Sequence, residues 1–103
     1  MIGCIVQARM GSSRLPNKVM KKIENDFTVL DYVIEQLKSS KNIEKIIVAT
    51  TTLEEDNIIF DYLFLHKYEV FRGSSEDVLD RFYQCAKKFS IDTIVRITAD
   101  NPL

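Results

Sequence analysis

The sequence has few of the residues on which zinc sites and covalent hydrolytic sites depend. Its 103 residues include one histidine and two cysteines. With one histidine there is no Cys/His zinc cluster, and no Ser-His-Asp triad is suggested. His66 falls at the end of a predicted helix, where an interaction with the helix dipole is the expected role. Cys4, in a predicted buried strand, and Cys85, on a predicted helix, are expected to be reduced core residues.

The chain also lacks long apolar runs and an excess of either charge. Its longest apolar run is far shorter than the roughly 20 residues of a membrane helix. Arg9 interrupts the only stretch that resembles a signal peptide. The formal net charge of −1 argues against non-specific binding to nucleic acid. We therefore expect a cytoplasmic protein that has neither a membrane nor a nucleic acid as its partner.

Glycine is scarce as well, and the loop after the first predicted strand holds only Gly11. That loop lacks the glycines of a Walker loop or a dinucleotide fingerprint. It is rich in positive charge instead, because residues 9–22 contain no acidic residue and these basic ones: Arg9, Arg14, Lys18, Lys21 and Lys22. A strand that leads into a Gly/Ser turn with fixed cations is typical of an anion site. The alternative is a solvated basic loop.

Strand-like and helix-like segments alternate along the chain. Short β-branched runs predict strands at residues 2–6, 44–50, 68–72 and 91–98, and helical periodicity predicts helices at 27–40, 52–66 and 74–89. The helix starts are predicted from three capping pairs, Thr28 with Asp31, Thr52 with Glu55 and Ser74 with Asp77. The predicted inner faces are Ile58, Ile59, Tyr62, Leu63 and Leu65 on helix two, and Val78, Leu79, Phe82, Tyr83, Ala86 and Phe89 on helix three. This pattern predicts one α/β domain with a parallel sheet, in which strand four is buried and central.

Right-handed crossovers bring the carboxyl ends of the strands to one edge, where open α/β sheets bind ligands. Three candidate segments follow strand ends there: residues 9–18, 72–75 and 99–100. Asp100 is placed to hold Mg²⁺, an ion that prefers one or two carboxylates together with phosphate oxygens and water. A turn aspartate before Pro102 is the alternative.

The loop resembles the signature of a known enzyme family. Residues 8–18 read ARMGSSRLPNK and meet every fixed position of A-R-x-G-S-x-R-L-P-x-K. That is the pattern of the sugar cytidylyltransferases, which include members of the spore-coat-polysaccharide type. Residues 96–103 resemble the metal-binding strand end of that family, although Thr98 and Asn101 stand where some relatives have Gln and Glu. Residues 72–74 and 80–81 resemble the segment that closes over the nucleoside and its phosphates, and residues 50–51 resemble the ribose-side turn.

The resemblance implies a fold, a reaction and a set of site residues. The fold is a Rossmann-like, mainly parallel sheet with flanking helices, of the glycosyltransferase-A type, with strand one beside strand four. The reaction is the transfer of a cytidylyl group from CTP to a sugar acid or sugar phosphate, with release of pyrophosphate. Arg14 and Lys18 are the implied catalytic residues, and Asp100 is the implied ligand of Mg²⁺. The implied nucleotide-binding residues are Ala8, Arg9, Gly11, Ser12, Ser13, Arg72, Gly73, Ser74 and Arg81.

Two other classes of function fit the same pattern. One is a nucleotide-binding module without turnover. The other is a general phospho-ligand domain such as a receiver. A receiver needs clustered aspartates at the end of an early strand, and strand one of this chain ends in Gln7, Ala8 and Arg9, which speaks against it. The resemblance also implies chains longer than this one. Residues 1–103 are therefore expected to be a single nucleotide-binding domain, the N-terminal part of a longer nucleotidyltransferase, that forms a homo-oligomer through an exposed sheet edge.

Overall fold

The computed structural model describes residues 1–10, 22–24 and 27–98. The strands are β1 (Ile2–Gln7), β2 (Lys22–Glu24), β3 (Phe27–Thr28), β4 (Lys45–Thr51), β5 (Val70–Gly73) and β6 (Thr93–Thr98). The helices are α1 (Val29–Lys38), α2 (Asn57–Leu65) and α3 (Val78–Lys88), and a short 3₁₀ turn at Glu54–Asp56 precedes α2. All the predicted strands and helices are present. The antiparallel pair of β2 and β3 is an addition, because strands of three and two residues are too short to show a period in the sequence.

Four of the strands form one sheet in the order β5-β4-β1-β6, and every neighbouring pair in it is parallel. β1 is internal. Its last residue, Gln7, pairs with Ala49 of β4 on one side and with Thr98 of β6 on the other. The predicted α/β class with a parallel sheet is confirmed, and so is the expected contact between strand one and strand four.

β6 differs from the predicted buried central strand. Among the residues that the structure describes it pairs with β1 alone. Val95 and Ile97 pack against the core, but Ile94 is 39% exposed because the strand lies at an edge. The apolar run in the sequence identifies a strand without revealing how many neighbours it has.

The core has one part on each face of the sheet, since successive side chains of a strand point to opposite faces. The first part contains Cys4, Val6, Ala8, Leu30, Val33, Ile34, Val48, Ile59 and Leu63, and the second contains Ile5, Ile47, Ala49, Phe82, Cys85, Ala86 and Ile91. Both cysteines are free, and burial raises the pKa of each thiol to about 11. A thiol that stays protonated at neutral pH is a core residue rather than a nucleophile.

The helix starts agree with the predictions only in part. Thr28 and Asp31 form the predicted capping box of α1. The N-cap of α3 is Asp77, whose carboxylate accepts the N–H of Asp80 at 2.9 Å, so α3 begins at Val78 rather than at Ser74. The predicted capping pair of Thr52 and Glu55 is wrong, because α2 has no side-chain cap. No helix in the described ranges is long and apolar enough to cross a membrane.

The buried faces of α2 and α3 also differ from the predicted ones. On α3 the buried residues are Arg81, Phe82, Cys85 and Ala86, whereas Leu79 and Tyr83 are 72% and 61% exposed. On α2 only Ile59 and Leu63 are buried, and Ile58 and Leu65 are exposed. A hydropathy pattern places arginine at the surface, so it assigns α3 a face that is rotated away from Arg81.

A buried carboxylate joins α1 to the far end of α2. Asp31 accepts hydrogen bonds from the N–H and the hydroxyl of Thr28, at 2.9 Å each, and from the hydroxyls of Tyr62 and Tyr68. Burial alone would raise the pKa of Asp31, but these hydrogen bonds outweigh it and lower the pKa below its ordinary value. The described partners of Asp31 thus lie in β3, in α2 and in the segment between α2 and β5.

Candidate functional site

The carboxyl ends of β1, β4 and β5 bring several of the predicted site residues to one edge of the sheet. β1 continues into Ala8, which is buried and whose N–H donates to the carbonyl oxygen of Ala49 at 3.0 Å. The chain runs from β1 outward through β4 to β5 and then returns to β6 on the other side of β1. Strand order therefore reverses between β1 and β6, and such a point is where open α/β sheets bind ligands.

Several of the predicted residues lie outside the described residues, namely Gly11, Ser12, Ser13, Arg14, Lys18 and Asp100. The strands that lead to them are described and are adjacent. Gln7, at the end of β1, pairs with Thr98, at the end of β6. The segment that carries Arg14 and Lys18 and the segment that carries Asp100 thus leave the sheet from paired positions.

Arg81 is the most unusual residue at this edge. It is 0% exposed, and its Nη1 donates to the carbonyl oxygen of Ser74 at 2.6 Å. Its Nε and Nη2 are buried and have no hydrogen-bond partner among the described residues. Burial, and then the positive charge of Arg9, lower the pKa of Arg81. A buried guanidinium with unmet donors is costly unless an anion pairs with it.

Arg9 reaches the same place from β1. Its Nε is also buried without a hydrogen-bond partner among the described residues, and its charge acts on Arg81. Two like charges that interact in this way disfavour each other, and each side chain has at least one buried donor without a described acceptor. Guanidinium donors bind phosphate oxygens in pairs, so this arrangement suits a polyphosphate.

Gly73 makes the position of Arg81 possible. A Cβ atom on Gly73 would lie 2.9 Å from Cγ of Arg81 and 3.0 Å from Cε2 of Phe71. A larger residue would have to displace the side chain of Arg81 or the ring of Phe71. Gly73 is thus a residue of close approach in the described structure, and its effect on a ligand would be exerted through Arg81.

Arg72 and Ser74 are engaged with the protein itself. The Nε and Nη2 of Arg72 donate to the carbonyl oxygens of Thr51 and Leu53 at 2.7 and 2.9 Å, and its Nη1 donates to Oδ1 of Asn57 at 2.7 Å. Ser74 Oγ accepts the N–H of Asp77 at 3.0 Å. Arg72 therefore fixes the turn after β4, while its predicted role in nucleotide binding remains a prediction.

The end of β4 supplies two buried hydroxyls. Thr50 Oγ1 has no hydrogen-bond partner in the part of the chain that the structure describes, whereas the hydroxyl of Thr51 donates to Asp56. Asp56 is buried at this edge of the sheet, and no motif in the sequence marks it. It lies after an acidic pair, Glu54 and Glu55, and nothing in that run distinguishes the buried carboxylate from its exposed neighbours.

Residues 3–103 match the protein family described as Cytidylyltransferase. The chain belongs to the cytidylyltransferase family. This confirms the resemblance that the loop motif indicates.

Curated relatives of this cytidylyltransferase chain match nearly all of it but are much longer. An uncharacterized protein of Methanocaldococcus jannaschii is 54% identical over 99 residues, which are 96% of this chain and 40% of that protein. The spore coat polysaccharide biosynthesis protein SpsF of Bacillus subtilis is 37% identical over 95% of this chain and 42% of its own length. A 3-deoxy-manno-octulosonate cytidylyltransferase of Koribacter versatilis is 30% identical over 96% and 37%. The chain therefore spans between 37% and 42% of the length of these relatives.

Solved structures confirm the cytidylyltransferase fold. A cytidylyltransferase from Leptospira borgpetersenii superposes with a TM-score of 0.88 at 40% identity, over 98% of this chain and 42% of that one. A CMP:2-keto-3-deoxy-manno-octonic acid synthetase in complex with CTP superposes with a TM-score of 0.76 at 20% identity, over 98% and 41%. The second likeness shows the fold alone.

Proposed function

We propose that the protein to which these residues belong transfers a cytidylyl group from CTP to a sugar acid or a sugar phosphate. The observation that carries this proposal is the pair of guanidinium groups, Arg9 and Arg81, whose buried donors have no described partner. A triphosphate supplies both the acceptors and the negative charge that this pair lacks. The names of the relatives support the proposal, since one refers to polysaccharide biosynthesis and another to a sugar acid.

The proposed reaction is an in-line displacement at the α-phosphorus of CTP. An oxygen of the sugar acid or sugar phosphate forms a bond to that phosphorus, and a hydroxyl that attacks releases its proton to solvent. The bond from the α-phosphorus to the bridging oxygen of the β-phosphate breaks, so that pyrophosphate leaves with the electron pair. Positioning and charge stabilisation supply most of the rate in such transfers. We assign Arg14 and Lys18 to the β- and γ-phosphates, where negative charge develops.

We propose that Asp100 holds Mg²⁺ at the same edge. The fit rests on the register of the sheet, because Thr98 pairs with Gln7. Thr98 lies two residues before Asp100, and Gln7 lies two residues before Arg9. Among the described residues no group of three His, Cys, Asp or Glu side chains could hold a metal ion. Mg²⁺ does not require one, since it takes one or two carboxylates and completes its coordination with phosphate oxygens and water. When bound, the ion supplies positive charge to the α-phosphate.

A panel of the four nucleoside triphosphates with Mg²⁺ tests the proposed substrate. The nucleotide with the lowest Kd raises the melting temperature most at equal concentration, and we expect that nucleotide to be CTP. A ligand at 100 times its Kd adds about 2.7 kcal/mol of stability. Release of pyrophosphate by the full-length protein with candidate sugars then tests turnover. Preference for another nucleotide would overturn the choice of CTP, and CTP binding without pyrophosphate release would favour a nucleotide-binding module.

Asp100→Asn is expected to reduce CTP binding in the presence of Mg²⁺ far more than CTP binding in EDTA. The amide keeps the shape of the carboxylate but removes the charge that the ion requires. Calorimetric titration with CTP under both conditions measures the difference. Asp61→Asn, a substitution at an exposed position of α2, is the control. Identical Mg²⁺ dependence in wild type and Asp100→Asn would leave Asp100 as a turn residue only.

We also propose that the outer edge of β6 is a surface for self-association. Among the described residues that edge has no neighbouring strand, and an unpaired edge is a template for pairing with another chain. Sedimentation velocity on residues 1–103 is expected to show a homo-oligomer, and Ile94→Lys is expected to shift it toward the monomer. A monomeric wild type at all concentrations tested would contradict this.

A further inference from the structure

We propose that Asp56 is a positioning residue of the nucleotide site, which fixes the backbone of Met10 and so the position of Arg9. The inference rests on the proposed function and adds a residue that the loop motif does not contain. Asp56 would not touch the nucleotide. Its effect would be exerted through the backbone of Met10 and through Arg9.

The carboxylate of Asp56 joins three separate parts of the site. It is 0% exposed, and its Oδ1 accepts the N–H of Met10 at 2.7 Å across 46 residues of sequence. Its Oδ2 accepts the hydroxyl of Thr51, the last residue of β4. The same hydroxyl oxygen of Thr51 accepts the N–H of Leu53 at 3.1 Å. One buried side chain thus ties the continuation of β1 to the end of β4 and to the turn before α2.

Asp56 makes these contacts instead of a local one. It occupies the N-cap position of α2, where an aspartate side chain usually accepts an N–H of its own helix. In this chain α2 has no side-chain cap, because both carboxylate oxygens are directed at Thr51 and Met10. Asp56 therefore does not stabilise the start of α2 by capping it. Its carboxylate fixes the backbone of Met10 instead.

Asp56 also balances the charge of the arginine pair. Burial and the charge of Arg9 lower the pKa of Arg81, and the negative charge of Asp56 acts in the opposite direction. The hydrogen bond to Met10 and the charge are therefore separable contributions. Asp56→Asn keeps an acceptor for the Met10 N–H and loses the charge, whereas Asp56→Ala loses both.

The ratio of CTP affinity to CMP affinity reports on how well Arg9 is positioned, because only CTP carries the triphosphate that Arg9 and Arg81 are proposed to bind. Asp56→Ala is expected to lower this ratio roughly tenfold, the size of one lost charge-assisted phosphate contact. Asp56→Asn is expected to restore most of it. Asp31→Ala is the matched control, since Asp31 is also buried and accepts several hydrogen bonds, but from Thr28, Tyr62 and Tyr68. It is expected to lower the melting temperature and leave the ratio unchanged.

Amide exchange at Met10 tests the hydrogen bond without any nucleotide. Exchange is expected to be faster in Asp56→Ala than in wild type or Asp56→Asn. A wild type that binds CTP no better than CMP would overturn the proposed function, and the exchange rates alone would then decide whether Asp56 fixes Met10. A CTP preference that is equal in wild type and Asp56→Ala would overturn the role of Asp56.

Thr51→Val is a second variant that tests the same inference if Asp56→Ala does not fold. It removes the hydroxyl that orients the carboxylate and leaves the carboxylate in place. We expect faster Met10 exchange and a lower CTP to CMP ratio in this variant. Wild-type values for both measurements would contradict the inference.

Discussion

Arg81→Met is expected to weaken CTP binding by about 1.5–3 kcal/mol, or roughly 10- to 150-fold, and to leave the free protein at least as stable as wild type. The side chain is wholly buried, donates one hydrogen bond to Ser74 and lies beside the like charge of Arg9. A buried charge whose donors lack partners is costly, and an apolar side chain of similar size removes that cost. Urea unfolding and calorimetric titration with CTP measure the two effects.

Arg72→Met is the comparison for the stability measurement alone, and its stability should change in the opposite direction. The guanidinium of Arg72 donates to Thr51, Leu53 and Asn57, and it lies over the ring of Phe60 with 5.4 Å between Cζ and the ring centroid. Its removal leaves these acceptors without their donors, so the free energy of unfolding should fall. Loss of stability in both variants, with no loss of CTP affinity in Arg81→Met, would show that Arg81 is a structural arginine.

The sheet is the part of the structure that the sequence predicts best. The β-branched run before the loop and the run at residues 44–50 are buried strands because both faces of a parallel sheet are covered. The start of α1 is equally predictable, since the capping pair of Thr28 and Asp31 is a local interaction. The residues of such a capping pair lie within a few positions of each other, so the sequence alone is enough to recognise them.

The site is less predictable, because its contacts join distant parts of the chain. The motif identifies the loop, but the role of Asp56 depends on Met10, which is 46 residues away. The burial of Arg81 depends on the space left by Gly73, and that space follows from the packing of α3 against β5. Hydropathy therefore places Leu79 inside and Arg81 outside, which is wrong because α3 packs the face that carries Arg81, and not the face that carries Leu79, against the sheet.

Arg14→Ala and Lys18→Ala are each expected to weaken CTP binding by about 1.5–3 kcal/mol, the usual cost of a lost charge-assisted contact. CMP binding should change little, because CMP lacks the β- and γ-phosphates to which these cations are assigned. Together with Arg9, they make a segment of like charges with no acidic residue in the sequence between them. Removing one charge relieves repulsion in the free protein, so stability should not fall.

Calorimetric titrations with CTP and with CMP, at two salt concentrations, measure these effects. Removing a cation that binds phosphate should also reduce the salt dependence of CTP affinity, since exposed charges are screened over about 10 Å at 0.1 M salt. Lys41→Ala removes an equal charge from an exposed position after α1 and should change neither affinity. CTP affinity that is unchanged in both loop variants would remove the loop from the site, and the triphosphate would then depend on Arg9 and Arg81 alone.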